Sequence, residues 1–341
     1  MNEAIKLSRV TFSYDGKTKI LNEVDFSVNY GEVTLLSGHS GEGKSTLLYV
    51  ISGIIPNVNY GELSGEVLVG GEDIKGKRLG QVCRKVGVVL QNADAQIIHQ
   101  RVEDELAFGC ENMGMPEDEI LSRVDEAARE LNIEKLLGRS IFELSGGEKQ
   151  KISCASVSAL RPEVMVLDEP TSNLDVHAIE ELKQTLLGWK AEGKTIVIAE
   201  HRLSWLRDLC DRVIYMKDGQ VAFDLSMQAF AQYSTEQLHQ MGLRSLRDEK
   251  IAPVQNSVPE TETMQLQNFC FSYDGKNHVL EHCNLAIKDG EKLALVGRSG
   301  AGKSTIIELI SRFYDVQSGE VLIGGKNVKE IRYETLLENV A

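Results

Sequence analysis

None of the six cysteines, Cys83, Cys110, Cys154, Cys210, Cys270 and Cys283, stands in a C-x-x-C pair, which leaves neither a zinc knuckle nor a dithiol redox motif in view. Reduced thiols are expected. Basic residues are in deficit: 37 Lys and Arg face 51 Asp and Glu, a net charge of −14. A broad positive face for the phosphates of DNA or RNA is therefore not expected, and no nucleic-acid partner is predicted. Long apolar runs are missing too. Those around residues 33–36, 164–167 and 196–199 reach only strand length, and MNEAIKLSRV lacks the apolar core of a signal peptide. The expectation is a chain that does not cross a membrane itself and meets one only through a partner. What is present excludes wholesale disorder: 42% of residues are hydrophobic and 26% charged, as in ordinary globular domains. A length of 341 residues suits about two domains at roughly 150 residues each.

The chain repeats itself. LSRVTFSYDGK from Leu7 returns as LQNFCFSYDGK from Leu266, and at the same separation GHSGEGKST from Gly38 returns as GRSGAGKST from Gly297. SGEVLVGG from Ser64 then matches SGEVLIGG from Ser318, slightly closer because the first copy carries extra residues within PNVNYGEL. Between the copies RDEKIAPVQNSVPETET is polar, holds two prolines and has no sustained apolar period, the composition of a linker. The expected organisation is a complete unit over residues 1–247, a linker over 248–263 and a second, truncated unit over 264–341. VTLLSG, VGVVLQ, VMVLDEP and TIVIAEH read as buried strands of an α/β sheet. EDEILSRVDEAARELNIEKLL places Ile120, Val124, Ala127 or Ala128, and Leu131 on one helical face, which predicts a helical subdomain.

Three segments carry chemistry. In Gly38-His-Ser40-Gly41-Glu-Gly43-Lys44-Ser45-Thr46 a strand feeds a glycine-rich turn that opens a helix. Such a turn curls backbone N–H groups around phosphate oxygens, with Lys44 reaching the β- and γ-phosphates and the Ser45 hydroxyl ligating Mg²⁺. Gly297, Gly300, Gly302, Lys303, Ser304 and Thr305 repeat the pattern, with Ser304 as the second hydroxyl for a metal. The strand VMVL ends in Asp168 and Glu169. Strand alternation aims them differently, so Asp168 can hold Mg²⁺ while Glu169 polarises the water that attacks the γ-phosphate. Ser145-Gly146-Gly147 opens a further helix as a second phosphate nest. One nucleotide cannot use two nests of the same fold copy, so this one should serve a nucleotide held by another. Ser145 also has the position of a helix N-cap, a role that does not demand both glycines.

With these motifs in order, the chain resembles the nucleotide-binding cassette of ABC transporters, in full from Leu7 to about Val221 and in part from Leu266 onward. The resemblance implies an α/β P-loop NTPase fold, a RecA-like core with a helical subdomain, followed by a truncated second cassette, and an ATPase with ATP and Mg²⁺ as cofactors. Tyr14, and Tyr273 in the repeat, resemble the aromatic that stacks on adenine. Gln91 in LQNADAQ resembles the glutamine that senses the metal and the γ-phosphate and marks the groove where a transmembrane subunit docks, here between Gln91 and Met115. Ser172-Asn-Leu-Asp175 resembles the loop that crosses a cassette dimer, and His201 the switch histidine at the γ-phosphate. Such a subunit works at the cytoplasmic face of the cell membrane, held there peripherally.

GIIPNVNYGELSGEV, QNADAQIIHQRVEDELAFGCENMGM and AEHRLSWLRDLCDRVIYMKDGQ look like energy-coupling-factor importers of vitamins and metal ions. The second copy, GEKLALVGRSGAGKSTIIELISRFYDVQSGEVLIGG, looks more like an exporter cassette. An exporter ATPase and a regulatory or non-transport cassette are the alternatives. Translation-factor relatives carry a long charged helical linker and DNA-repair relatives large insertions or zinc cysteines, none of which is seen here. The second copy holds no counterpart of Gln91, Ser145, Asp168, Glu169 or His201. The expectation is therefore a second cassette supplied by the remainder of a longer protein or by another chain, and apolar segments left uncovered beyond Leu266.

Overall fold

A computed structural model describes residues 3–172, 174–246, 262–273, 275–297 and 301–340. The chain divides into two compact units, Met1–Glu249 and Lys250–Ala341. Most of the expected linker lies outside the described residues, as do Asn173 and Gly300.

The strands of the first unit are β1 (Glu3–Ser13), β2 (Leu21–Asn29), β3 (Val33–Gly38), β4 (Glu62–Val69), β5 (Glu72–Asp73), β6 (Val86–Val89), β7 (Val164–Asp168), β8 (Thr195–Ala199), β9 (Arg212–Lys217) and β10 (Gln220–Ser226). They make two sheets. One is antiparallel in the order β2-β1-β4-β5, and the other runs β10-β9-β3-β8-β7-β6, parallel from β9 to β6 with β10 antiparallel at its edge. The principal helices are α1 (Lys44–Ile51), α2 (Val102–Asn112), α3 (Glu117–Glu130), α4 (Gly146–Ser158) and α5 (Val176–Ala191).

The parallel strands are apolar on both faces because both faces are covered. Met165, Leu167, Ile196, Ile198 and Val213 pack into a core with α2 to α5. Their neighbours Val164, Val166, Val197, Ala199 and Ile214 pack the other way, against α1 and the antiparallel sheet. The periodicity read for the helical segment is met by α3, which buries Val124, Ala127 and Ala128, with Leu131 buried at its C-cap. Ile120 is only partly buried at the edge of the same core.

The second unit contains β11 (Glu262–Phe271), β12 (Leu280–Lys288), β13 (Ser318–Ile323), β14 (Lys326–Asn327) and α6 (Lys303–Ile310). Its sheet order, β12-β11-β13-β14, repeats that of the first antiparallel sheet. Leu266, Phe269, Phe271, Leu280, Leu309 and Val321 form its core. The repeat extends to an irregularity. In β1 the pairing shifts between Ser8 and Thr11, opposite Gly65, and in β11 it shifts between Gln267 and Cys270, opposite Gly319. A Cβ on Gly65 would lie 2.4 Å from the Arg9 carbonyl oxygen, and one on Gly319 2.3 Å from that of Gln267. Each bulge thus needs a glycine across from it. The parallel partners that hold β3 in the first unit have no counterpart for residues 291–297 among the described residues: this segment forms no strand, and Leu293 and Val296 are 44% and 91% exposed.

Candidate functional site

The site lies at the carboxyl ends of the parallel strands, where β3, β7 and β8 each deliver a polar segment. At the end of β3, Gly38 passes so close to β9 that a Cβ would fall 2.5 Å from the Met216 carbonyl oxygen. The turn closes at Gly43, the N-cap of α1, in the left-handed region (φ 89°) and with no side-chain cap on the helix. The first-turn N–H groups of α1 are thereby left for an anion. Lys44 is 5% exposed; its Nζ donates to the carbonyls of Gly38 at 2.9 Å and His39 at 2.7 Å. Burial pulls its pKa below the ordinary lysine value, while Glu169, Asp168 and Glu42 act the other way.

Asp168, at the end of β7, is 1% exposed and accepts from the Ser45 hydroxyl at 3.1 Å. Burial pushes its carboxyl above the usual range, against the Ser45 hydrogen bond, and the neighbouring Glu169 adds to the rise. Its Oδ2 is buried without a hydrogen-bond partner. A hydroxyl beside a carboxylate oxygen whose lone pairs take no hydrogen bond is an oxygen donor set that fits Mg²⁺ shared with phosphates. With Mg²⁺ bound there, the charge of the β- and γ-phosphates would be neutralised.

Glu169 turns away from Asp168, as the alternation predicted. Its backbone enters the left-handed region (φ 45°), and its amide is held by the Ala199 carbonyl at 2.9 Å. One carboxylate oxygen accepts from Gln91 Nε2 at 2.9 Å and the other lies 3.0 Å from His201 Nε2. Three residues from separate strand ends thus converge. Tyr14 is half-exposed beside them, braced edge-on against Phe12 and within 3.4 Å of the Thr46 hydroxyl. Ser172 donates to the Gln91 carbonyl at 3.3 Å, and Asp175 caps α5 through the Ala178 amide at 2.8 Å.

These groups surround a cleft of about 750 Å³ that takes in Tyr14, Ser40, Gly41, Gly43, Lys44, Ser45, Thr46, Gln91, Glu169 and His201, a size suited to a nucleotide. Ser145, Gly146 and Gly147 do not line it. Ser145 instead closes a capping box at the start of α4, accepting from the Glu148 amide while Glu148 accepts from the Ser145 amide at 2.8 Å. In the second unit, Lys303 Nζ donates to the Gly297 carbonyl at 2.9 Å, and the Tyr273 hydroxyl lies 3.0 Å from that of Thr305. Gly302 caps α6, which carries Ser304 and Thr305 in its first turn. These contacts match those of Lys44 and Tyr14.

Glu200 was not singled out from the sequence, since an acid at a strand end usually faces water. Here it is 3% exposed. It accepts from the His201 amide at 2.6 Å, the Arg202 amide at 3.2 Å and the Thr171 hydroxyl, so it fixes the backbone that presents His201. Glu200→Ala is expected to lower turnover roughly ten-fold or more, the scale of losing hydrogen bonds to a charged group. Glu200→Gln, which keeps an acceptor oxygen, should lose less. Equal steady-state rates for the parent and both variants would reject the positioning role. Gly242 and Arg244 also line the cleft and belong to no motif.

The family described as ABC transporter matches residues 21–172 and 280–341. A putative ABC transporter ATP-binding protein of Treponema denticola is 38% identical over 94% of this chain and 67% of its own length. One from Methanosarcina mazei is 32% identical over 98% of the chain and 65% of its own length. The chain thus spans about two thirds of these relatives. Among solved structures, CbiO1 of Clostridium perfringens, part of the ABC transporter complex CbiONQ, is 33% identical with a TM-score of 0.62, over 68% of this chain and 92% of its own. The ATP-binding cassette MJ0796, a dimer in a post-hydrolysis state with ADP and Pi, is 25% identical with a TM-score of 0.58, over 65% and 98%. On the family match and these relatives together, the chain belongs to the ABC transporter family of ATP-binding, ATP-hydrolysing cassettes.

Proposed function

We propose that the first unit binds MgATP in the cleft and that Glu169 is the base for the attacking water, its hydrolysis being coupled to solute uptake through separate transmembrane subunits. The observation that carries this reading is the convergence of Gln91, Glu169 and His201 beside Lys44 and the Ser45–Asp168 pair. Lys44 would hold the β- and γ-phosphates, Ser45 and Asp168 the Mg²⁺, and Tyr14 the base. Gln91 and His201, both on Glu169, would exchange that carboxylate for the γ-phosphate. Ser145–Gly147, outside the cleft, would close on the nucleotide of another cassette.

Import of a vitamin or metal ion is the finer reading, supported by the likeness to CbiO1, itself part of a CbiONQ complex. The docking surface would lie between Gln91 and Met115. There the turn at residues 93–96 is tied to α4 by the ion pair of Asp94 with Lys149 at 2.7 Å, so movement at Gln91 reaches the helix headed by Ser145. No helix of the described residues is long and apolar enough to cross a membrane, in keeping with a peripheral subunit at the cytoplasmic face. Detergent-solubilised membranes should yield the tagged chain together with an integral membrane protein. A stable ribosome- or DNA-bound pool with nothing in the membrane fraction would overturn the transport reading.

A further inference from the structure

We propose that Arg244 is an additional nucleotide-binding residue of this cleft, giving its guanidinium to the phosphate tail, and that the short segment from Met241 to Leu246 is built to hold it there; the proposal rests on the cleft being the ATP site. After β10 the chain makes two helical turns, Met227–Phe230 and Thr235–Gln240, and returns to the cleft. The returning segment is pinned at several points. The Tyr215 hydroxyl, from β9, donates to the Met241 carbonyl at 2.8 Å, and Leu243 and Leu246 are buried in the core. Leu243 inward leaves Arg244 outward, along the cleft wall.

Gly242 fixes which part of the cleft this is. It has a φ of 68°, and a Cβ there would fall 1.8 Å from Cε1 and 2.0 Å from Nε2 of His39, so the His39 ring packs directly on the glycine backbone. The His39 carbonyl is one of the two acceptors that hold the Lys44 ammonium. The segment therefore backs the phosphate loop, and Arg244 follows two residues later on the same wall.

The charges of the cleft leave Arg244 available. Arg202, the other guanidinium lining it, donates to the Leu174 carbonyl at 3.3 Å. Glu169 is engaged by Gln91 and His201, and Glu200 by Thr171 and two backbone amides. Arg244 has no hydrogen bond or ion pair with any of the described residues. A planar fork with no partner among the described residues, lining the same cleft as a buried lysine and the open N-terminus of α1, suits phosphate oxygens, which it can bind through two parallel hydrogen bonds.

Equilibrium binding of ATP, ADP and GTP to the full chain tests this, with the parent, Arg244→Gln, Arg244→Lys and Lys44→Ala compared. Arg244→Gln should weaken ATP and GTP by the same factor, about ten-fold or more, and Arg244→Lys should recover part of the loss by restoring charge without the fork. Because Arg244 is exposed, its thermal midpoint without nucleotide should match the parent's. Gly242→Val is a second probe: by displacing His39 it should also weaken ATP. Unchanged ATP affinity in Arg244→Gln, with affinity lost in Lys44→Ala, overturns the assignment of Arg244 while leaving the cleft reading intact. Unchanged affinity in both variants means that the cleft reading has failed first. A loss for ATP without one for GTP overturns phosphate recognition in favour of contact with the base.

Discussion

Replacing Glu169 by Gln is expected to leave ATP bound and to slow its turnover by about 10²-fold or more, the scale of removing a general base. The amide has the size of the carboxylate and can sit on the same left-handed backbone, so the approach of Gln91 at 2.9 Å and His201 at 3.0 Å is disturbed little. What is lost is the capacity to take a proton. Lys44, Ser45 and Asp168 are untouched by the change, so the affinity for nucleotide should remain within a few-fold of the parent, and ATP should accumulate uncleaved on the protein in a single-turnover experiment. Steady-state hydrolysis at the parent's rate would reject Glu169 as the base.

Lys44→Ala should remove ATP binding itself, by about 10²-fold or more in affinity. The ammonium is the most buried cation of the cleft, and its two carbonyl acceptors, Gly38 and His39, hold it where the loop curls. Without it the buried carboxyl of Asp168 and the neighbouring Glu169 dominate the local charge, and a polyphosphate is repelled where it was held. In the parent, saturating MgATP should raise the thermal midpoint through preferential binding to the folded state. In Lys44→Ala that increment should vanish while the nucleotide-free midpoint changes much less. Equal ATP affinity in variant and parent would count against the phosphate-loop reading.

Much of the site was legible because phosphate binding is carried by backbone, and backbone shape writes itself into glycines at fixed spacing. Gly38 and Gly43 are needed for close passage by β9 and for a left-handed N-cap, and those demands are visible in a string of letters. Strand alternation likewise separated Asp168 from Glu169, which the structure places on Ser45 and on Gln91 with His201. Residues whose roles depend on who meets them in space were not legible. Glu200 ends an apolar strand as a solvated acid would, and only the fold buries it under Thr171 and the His201 backbone. Arg244 follows a segment without motif, and its place on the cleft is set by Tyr215 and Gly242. In the second unit, residues 291–297 form no strand, since strand formation requires neighbours and none of the described residues supplies them.

The paired bulges of the two antiparallel sheets say something further about the repeat itself. At Gly65 and at Gly319 the obstacle to any side chain is a main-chain carbonyl of the facing strand, which no exchange of residues on that strand can trim away. A compensating mutation is therefore unavailable, and the position opposite each bulge must stay glycine whatever changes around it. The glycine that SGEVLVGG and SGEVLIGG share at this point is a record of steric exclusion rather than of a shared ligand. Two copies could abandon nucleotide altogether and the glycine would still be required there.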